Sequence, residues 1–143
     1  MDFDVSPLTQ EDFGDAYALW ESSEGVVLQS DERHPHVFVR FLSRNPGMSF
    51  GARRAGRLIG AVLAGHDGRR GYVYHLAVAA DCRRQGIGKT LVASVEREMT
   101  RQGIWKVHAN VVYRNLRAQY FWKKLGWFER DDIALFSHLL LPG

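Results

Sequence analysis

Ten consecutive residues, Asp81-Cys82-Arg83-Arg84-Gln85-Gly86-Ile87-Gly88-Lys89-Thr90, concentrate the residue types that capture an anion. Gly86 and Gly88 carry no side chain, so backbone N–H groups beside them can approach a ligand closely, and Arg83, Arg84 and Lys89 add positive charge. At the start of a helix such a loop also gains the positive end of the helix dipole. A diphosphate is the ligand that fits. The loop of ATP-binding proteins would need glycine where Arg83 stands, and no Gly-x-Gly-x-x-Gly signature of dinucleotide binding occurs. His75 and His108 are candidates for moving a proton, because imidazole is the side chain that titrates near neutral pH; a lone strand histidine is more often a hydrogen-bonded structural residue. The single cysteine, Cys82, has no evident His or acid partner and reads as a small buried residue. One thiol builds neither an intramolecular disulfide nor a multi-thiolate zinc site, so no metal is expected and a reducing cytoplasm is the natural setting.

Periodicity predicts the elements that hold these residues. Phe13, Tyr17 and Trp20 recur at helical spacing within 10–21, with Thr9 as a cap and Glu11 and Asp12 in the first turn. A second helix is predicted over 36–44, where Val37/Phe41 and Phe38/Leu42 stand four apart before Asn45-Pro46-Gly47 stops it. Residues 49–54 and 58–64 read as a hairpin turning at Ala55-Gly56, and a loop over 65–71 leads to a strand over 72–79. That strand is nearly apolar on both faces, as a central strand covered above and below would be. Ile87, Leu91, Val92, Val95 and Met99 mark one face of a helix ending near Gln102. A strand over 104–112 follows, then a helix carrying Ala118, Phe121, Trp122 and Leu125, closed by Gly126. The strand–helix–strand unit implies a parallel crossover, and the apolar run 133–141 predicts a final edge strand. The order is two helices, three strands, helix, strand, helix, strand: a mixed α/β fold.

The chain has 143 residues, 45% hydrophobic and 24% charged, which suits one soluble domain over 1–143 and excludes disorder. No apolar stretch approaches the ~20 residues of a membrane span. The net charge of +3 is unevenly spread: residues 1–32 hold nine acids and no Lys or Arg, leaving nineteen bases against seven acids, or +12, in the remainder. That portion should attract anions, with arginines clustered at Arg53-Arg54-Arg57, Arg69-Arg70 and Arg83-Arg84.

The element order, the strand 72–79 followed by Arg83-Arg84-Gln85-Gly86-Ile87-Gly88, and then Asn115-x-x-Ala118-x-x-Phe121-Trp122 with Leu125-Gly126-Trp127, together resemble the GNAT superfamily of acetyl-coenzyme A (acetyl-CoA) dependent acetyltransferases. Within it, the 65–71 loop and strand resemble the small bacterial YpeA-like proteins. The resemblance implies a central mixed, mostly antiparallel sheet whose parallel central strands splay apart, flanked by helices. It also implies acetyl-CoA as acetyl donor. Backbone N–H groups of Arg84, Gln85, Gly86, Ile87, Gly88 and Lys89 would hold the pyrophosphate, with Arg83 and Arg84 near its oxygens. The pantetheine arm would pair with Leu76, Ala77 and Val78, one N–H there polarising the thioester carbonyl. Asn115 matches the residue that touches the arm; an ordinary helix N-cap needs asparagine equally.

Departures from the family pattern bear on mechanism. Where relatives commonly carry a tyrosine acid, seven residues after the Asn115 position, stands Trp122. Tyr120 projects about 200° round the helix from it and reads as packing. Tyr113, in the preceding loop, is the candidate that can reach in. Positions where relatives often carry glutamate hold Tyr72 and Asn110, which leaves His75 and His108 as candidate bases. The expected activity is transfer of acetyl to a primary amine, on a small molecule, a protein N-terminus or a lysine, by direct attack in a ternary complex. The nine N-terminal acids hint at a cationic acceptor. A non-catalytic acyl-CoA sensor is the alternative; nucleic-acid binding ranks third because the arginine pairs surround one anion site rather than forming a stripe. The apolar 133–141 edge makes a homodimer a candidate assembly.

Overall fold

The computed structural model describes residues 2–141. Its elements are β1 (Asp4–Pro7), α1 (Phe13–Glu21), α2 (Pro35–Arg44), β2 (Phe50–Arg54), β3 (Arg57–His66), β4 (Gly71–Val78), α3 (Ile87–Arg101), β5 (Val107–Ala109) and α4 (Leu116–Lys124). Short 3-10 turns precede α1 and α2, at Gln10–Asp12 and Ser30–Arg33. The strands form one sheet in the order β1-β2-β3-β4-β5, antiparallel except for the parallel pair β4–β5. The mixed α/β architecture and the parallel crossover through α3 follow the sequence expectation.

Helix α3 covers one face of the sheet through Ile87, Leu91, Val92, Val95 and Met99, all buried. It sits close because β3 offers glycine beneath it: a Cβ on Gly60 would lie 2.9 Å from Ile87 and 3.1 Å from Leu91. Helix α1 is anchored to β3 by a buried bond in which Trp20 Nε1 donates to the Ala61 carbonyl at 3.2 Å. Phe38 of α2 packs against both Phe13 and Trp20.

Three expectations are corrected. The N-terminal strand β1 was not foreseen, because Asp4–Pro7 is mostly exposed, shows no apolar alternation, and is held by backbone pairing with β2. The strand expected over 104–112 shrinks to Val107–Ala109, because β5 pairs with β4 only at Gly71↔Val107, Tyr72↔His108 and Val73↔Ala109. The edge strand expected over 133–141 is not formed. Ile133, Leu135, Phe136, Leu139, Leu140 and Leu141 are instead 65–91% exposed, and apolar composition without a paired neighbour does not make a strand. Two smaller differences concern coverage. Residues of β4 alternate between buried and partly exposed, since a cleft lies along it, and Tyr120 faces solvent beneath Lys124 rather than packing inward.

Candidate active site

The splay of β4 from β5 creates the site. The ladder has a bulge, Leu63 opposing His75 and Ala64 opposing Val73, which leaves Tyr74 as the extra residue on β4. Before the bulge, Gly71 N–H donates to the Lys106 carbonyl on the β5 side at 3.0 Å. Beyond it, Ala79 N–H donates to the Ile59 carbonyl at 2.8 Å, in register with the pair Ala77↔Ala61. Alternation along an antiparallel ladder therefore turns the peptide groups of Ala77 toward β3 and those of Leu76 and Val78 away from it. On that side β5 has already diverged, so Leu76 and Val78 present N–H groups to an open gap. Of the three residues expected to hold an extended arm, Leu76 and Val78 turn their peptide groups to the gap and Ala77 turns its own to β3.

After β4 the chain makes a 3-10 turn, Ala80–Cys82, that buries Cys82, and enters the glycine loop. Arg84 has φ +63° and Gly86 φ +80° with ψ 9°, a left-handed conformation that glycine adopts without a Cβ penalty. Gly86 is the N-cap of α3 and brings no capping side chain. The first bond of the helix runs from Thr90 N–H to the Gly86 carbonyl, at 3.0 Å, so the N–H groups of Ile87, Gly88 and Lys89 are the orphan donors of its first turn. Among the described residues, Arg83, Arg84 and Lys89 have no acidic partner. The Gln85 side chain turns away to accept a bond from Arg54. The other nearby arginines are engaged: Arg53 with Asp12, Arg54 with Asp2, and Arg57 with Asp81, whose carboxyl the guanidinium holds down to about 2. Of these neighbouring cations, Arg83, Arg84 and Lys89 on the loop and the start of α3 are thus the ones left free, an arrangement that suits a diphosphate.

A cleft of about 640 Å³ opens on the opposite face from α3. Its walls are Val37 and Phe41 of α2, Asp31 and Glu32 of the 3-10 turn, Leu63 of β3, Tyr74 and His75 of β4, and Asn110, Val111 and Val112 after β5. His75 is buried, its ring 5.4 Å from that of Trp20, and its Nε2 lies 2.6 Å from Glu32 Oε1. Glu32 Oε2 accepts a bond from Gln29 N–H at 2.7 Å. Burial raises the Glu32 carboxyl, but the His75 bond, the Gln29 N–H and the His75 charge outweigh it, and the net direction is downward.

The remaining candidates do not line the cleft with His75. His108 stands opposite Tyr72 at the paired end of β4 and β5, outside the cleft; burial, then the charges of Arg130, Lys106 and Arg70, push its pKa down. Tyr113 is 80% exposed in the turn before α4. Asn115 acts as N-cap, its Oδ1 accepting from Ala118 N–H at 3.0 Å. Its amide faces the loop after α1, where a Cβ on Gly25 would come 2.3 Å from Nδ2. Trp122 is buried against Trp127, ring centroids 4.4 Å apart, and belongs to the core under α4. Glu32 was missed by sequence reasoning. The Gln29-x-x-Glu32 spacing signals its local turn, but nothing local signals its partner 43 residues away.

Comparison with known proteins identifies the fold and the family. An acetyltransferase from Sodalis glossinidius is 29% identical over 97 residues, which cover 67% of this chain and 66% of that protein. Ribosomal-protein-alanine N-acetyltransferase from Brucella melitensis superposes with a TM-score of 0.75 at 19% identity, over 97% of this chain and 100% of that one. Aminoglycoside N-acetyltransferase AAC(6')-Iy, solved in complex with CoA, superposes with a TM-score of 0.74 at 18% identity, over 95% and 94% of the two chains. The profile of the Acetyltransferase (GNAT) family matches residues 10–127. The chain belongs to the GNAT family of acetyltransferases.

Proposed function

We propose that the protein is an acetyl-CoA-dependent N-acetyltransferase of the small bacterial YpeA-like kind, working as a single cytoplasmic domain. It moves acetyl to a primary amine by direct attack in a ternary complex. The observation that carries this reading is the gap beside β4, where the N–H groups of Leu76 and Val78 lie unpaired next to His75. A pantetheine arm fits the gap as an added strand, and one of the two N–H groups polarises the thioester carbonyl. The pyrophosphate fits the N–H groups of Ile87, Gly88 and Lys89 with the cations of Arg83, Arg84 and Lys89. His75, facing the cleft from the same strand, takes the role of base; His108 and Tyr113 are not among the residues that line the cleft.

The acceptor class follows from the cleft's charge. Asp31 and Glu32 on its wall favour a cationic amine: an aminoglycoside, a polyamine, a protein N-terminus or a lysine. The two structural neighbours act, by name, on an aminoglycoside and on a ribosomal protein's alanine. One observation favours an acyl-CoA sensor instead: Trp122 is buried where relatives carry an acid. Loss of a general acid costs about 10²–10⁴-fold in rate, not all of it. Incubation with acetyl-CoA and a panel of these amines, reading free CoA thiol, decides between the two: turnover supports the transferase, and none with any amine supports the sensor. The exposed 133–141 tail is read as the contact for a second copy, and light scattering that finds a monomer at high protein concentration removes that assembly.

A further inference from the structure

We propose that Glu32 is a positioning residue that fixes the His75 tautomer, leaving the Nδ1 lone pair facing the cleft as the base that receives the proton of the incoming ammonium. The proposal rests on the acetyl-transfer reading and assigns the atom and its support within it. Ionised Glu32 is acceptor only, so at 2.6 Å the hydrogen between it and His75 resides on Nε2. The carboxylate cannot drift, because its second oxygen accepts from Gln29 N–H at 2.7 Å. Among the described residues the His75 ring bonds through Nε2 alone, which leaves Nδ1 without a partner on a side chain that lines the cleft. Besides His75, the titratable groups lining the cleft are Glu32 and Asp31 of the turn and Tyr74 of the same strand; α2 and the segment after β5 line it with Phe41 and Asn110, and Trp20 of α1 packs on the His75 ring, none of them charged.

The step balances. The ammonium gives one proton to Nδ1, and the positive imidazole is stabilised through Nε2–H by the Glu32 carboxylate. The freed amine forms a bond to the thioester carbonyl carbon as the carbon–sulfur bond breaks, and the bonding pair leaves with sulfur. The amine's second proton passes to the departing thiolate, and Nδ1 returns its own to solvent. A Glu–His pair that only ties the turn to the sheet would satisfy the same distances and change tautomer equally on amide substitution, but kcat would stay at the wild-type level.

Glu32→Gln separates the two. A glutamine has one carbonyl oxygen, and Gln29 N–H, as a fixed donor, claims it; the amide NH2 must then face Nε2 and donate to it. His75 flips to the Nδ1–H form and loses its cleft-facing lone pair. The experiment is long-range ¹H–¹⁵N spectroscopy of ¹⁵N-histidine-labelled protein, with His75 resonances identified through His75→Gln, alongside steady-state kinetics. The expected wild-type form is Nε2–H and the expected Glu32→Gln form is Nδ1–H, with kcat about 10²-fold lower or more and the KM for acetyl-CoA unchanged. Glu32→Asp keeps the charge and recovers part of both properties, and it carries the test should Glu32→Gln fail to fold. Wild-type His75 in the Nδ1–H form, an unchanged tautomer in Glu32→Gln, or kcat within threefold of wild type overturns the proposal. Absence of turnover with every amine overturns the transfer reading and the base role with it, while the spectra still decide whether Glu32 sets the tautomer.

Discussion

Replacing Gly86 with alanine isolates the backbone conformation that shapes the anion loop. A Cβ built at Gly86 meets nothing within 4 Å, so packing contributes no penalty. What remains is φ +80°, where an L-residue costs about 1–2 kcal/mol. The alanine also restricts the unfolded chain, which offsets about 0.4–1 kcal/mol of that. The net destabilisation is about 1 kcal/mol. For a chain of 143 residues this lowers the melting temperature by about 3 °C. Gly14 provides the opposite control: it lies within α1, has ordinary φ and equally open surroundings, so Gly14→Ala should raise the melting temperature by about 2–3 °C. Differential scanning calorimetry measures both. A Gly86→Ala protein that melts at or above wild type would refute the claim that the loop is held in a left-handed conformation.

Further outcomes follow from the same geometry. Asn115→Ala should cost about 1 kcal/mol by leaving Ala118 N–H uncapped, whereas Asn115→Ser restores most of it by the same melting assay. Trp122→Ala should cost about 3–5 kcal/mol, as expected for an aromatic buried against Trp127, and Trp122→Tyr should not accelerate acetyl transfer, because its side chain occupies core rather than cleft. On acidification, Asp81 and Glu98 are held down to about 2 by their arginine partners. The unfolded chain therefore binds their protons first, and stability present above pH 4.5 should be lost progressively as pH falls toward 2. His108 is also lowered, by burial and neighbouring cations, so its unfolded form protonates first as pH drops through 6.5. Melting curves should show a stability loss there that His108→Gln removes; its persistence in that variant would assign the loss elsewhere.

What the sequence disclosed and what it hid divide along contact range. The shape of the loop 81–90 was legible because it rests on neighbouring residues: glycines that bare the backbone, cations, and a helix start immediately after. His75 was legible as a candidate because an imidazole on a central strand is conspicuous. Glu32 was not, because its meaning depends on a turn folding back over β4, and locally it is one of nine acids in a charged N-terminal stretch. The bulge at Tyr74 was equally silent, since no residue type marks it, yet it decides that Leu76 and Val78, not Ala77, face the gap. Strand β1 escaped because an exposed edge held by backbone bonds needs no apolar pattern. The 133–141 tail misled in the opposite sense, with composition enough for a strand and no partner to pair with.

The measurement that tests the central claim most directly is thermal unfolding of wild type and Gly86→Glu with increasing acetyl-CoA. A ligand that binds only the native state stabilises it by about 2.7 kcal/mol at a hundredfold excess over Kd, close to 9 °C for a chain of 143 residues. The account predicts that rise for wild type and its absence in Gly86→Glu, whose carboxylate would stand at the N-terminus of α3 where the diphosphate belongs. Wild type that melts at the same temperature with and without millimolar acetyl-CoA would contradict it.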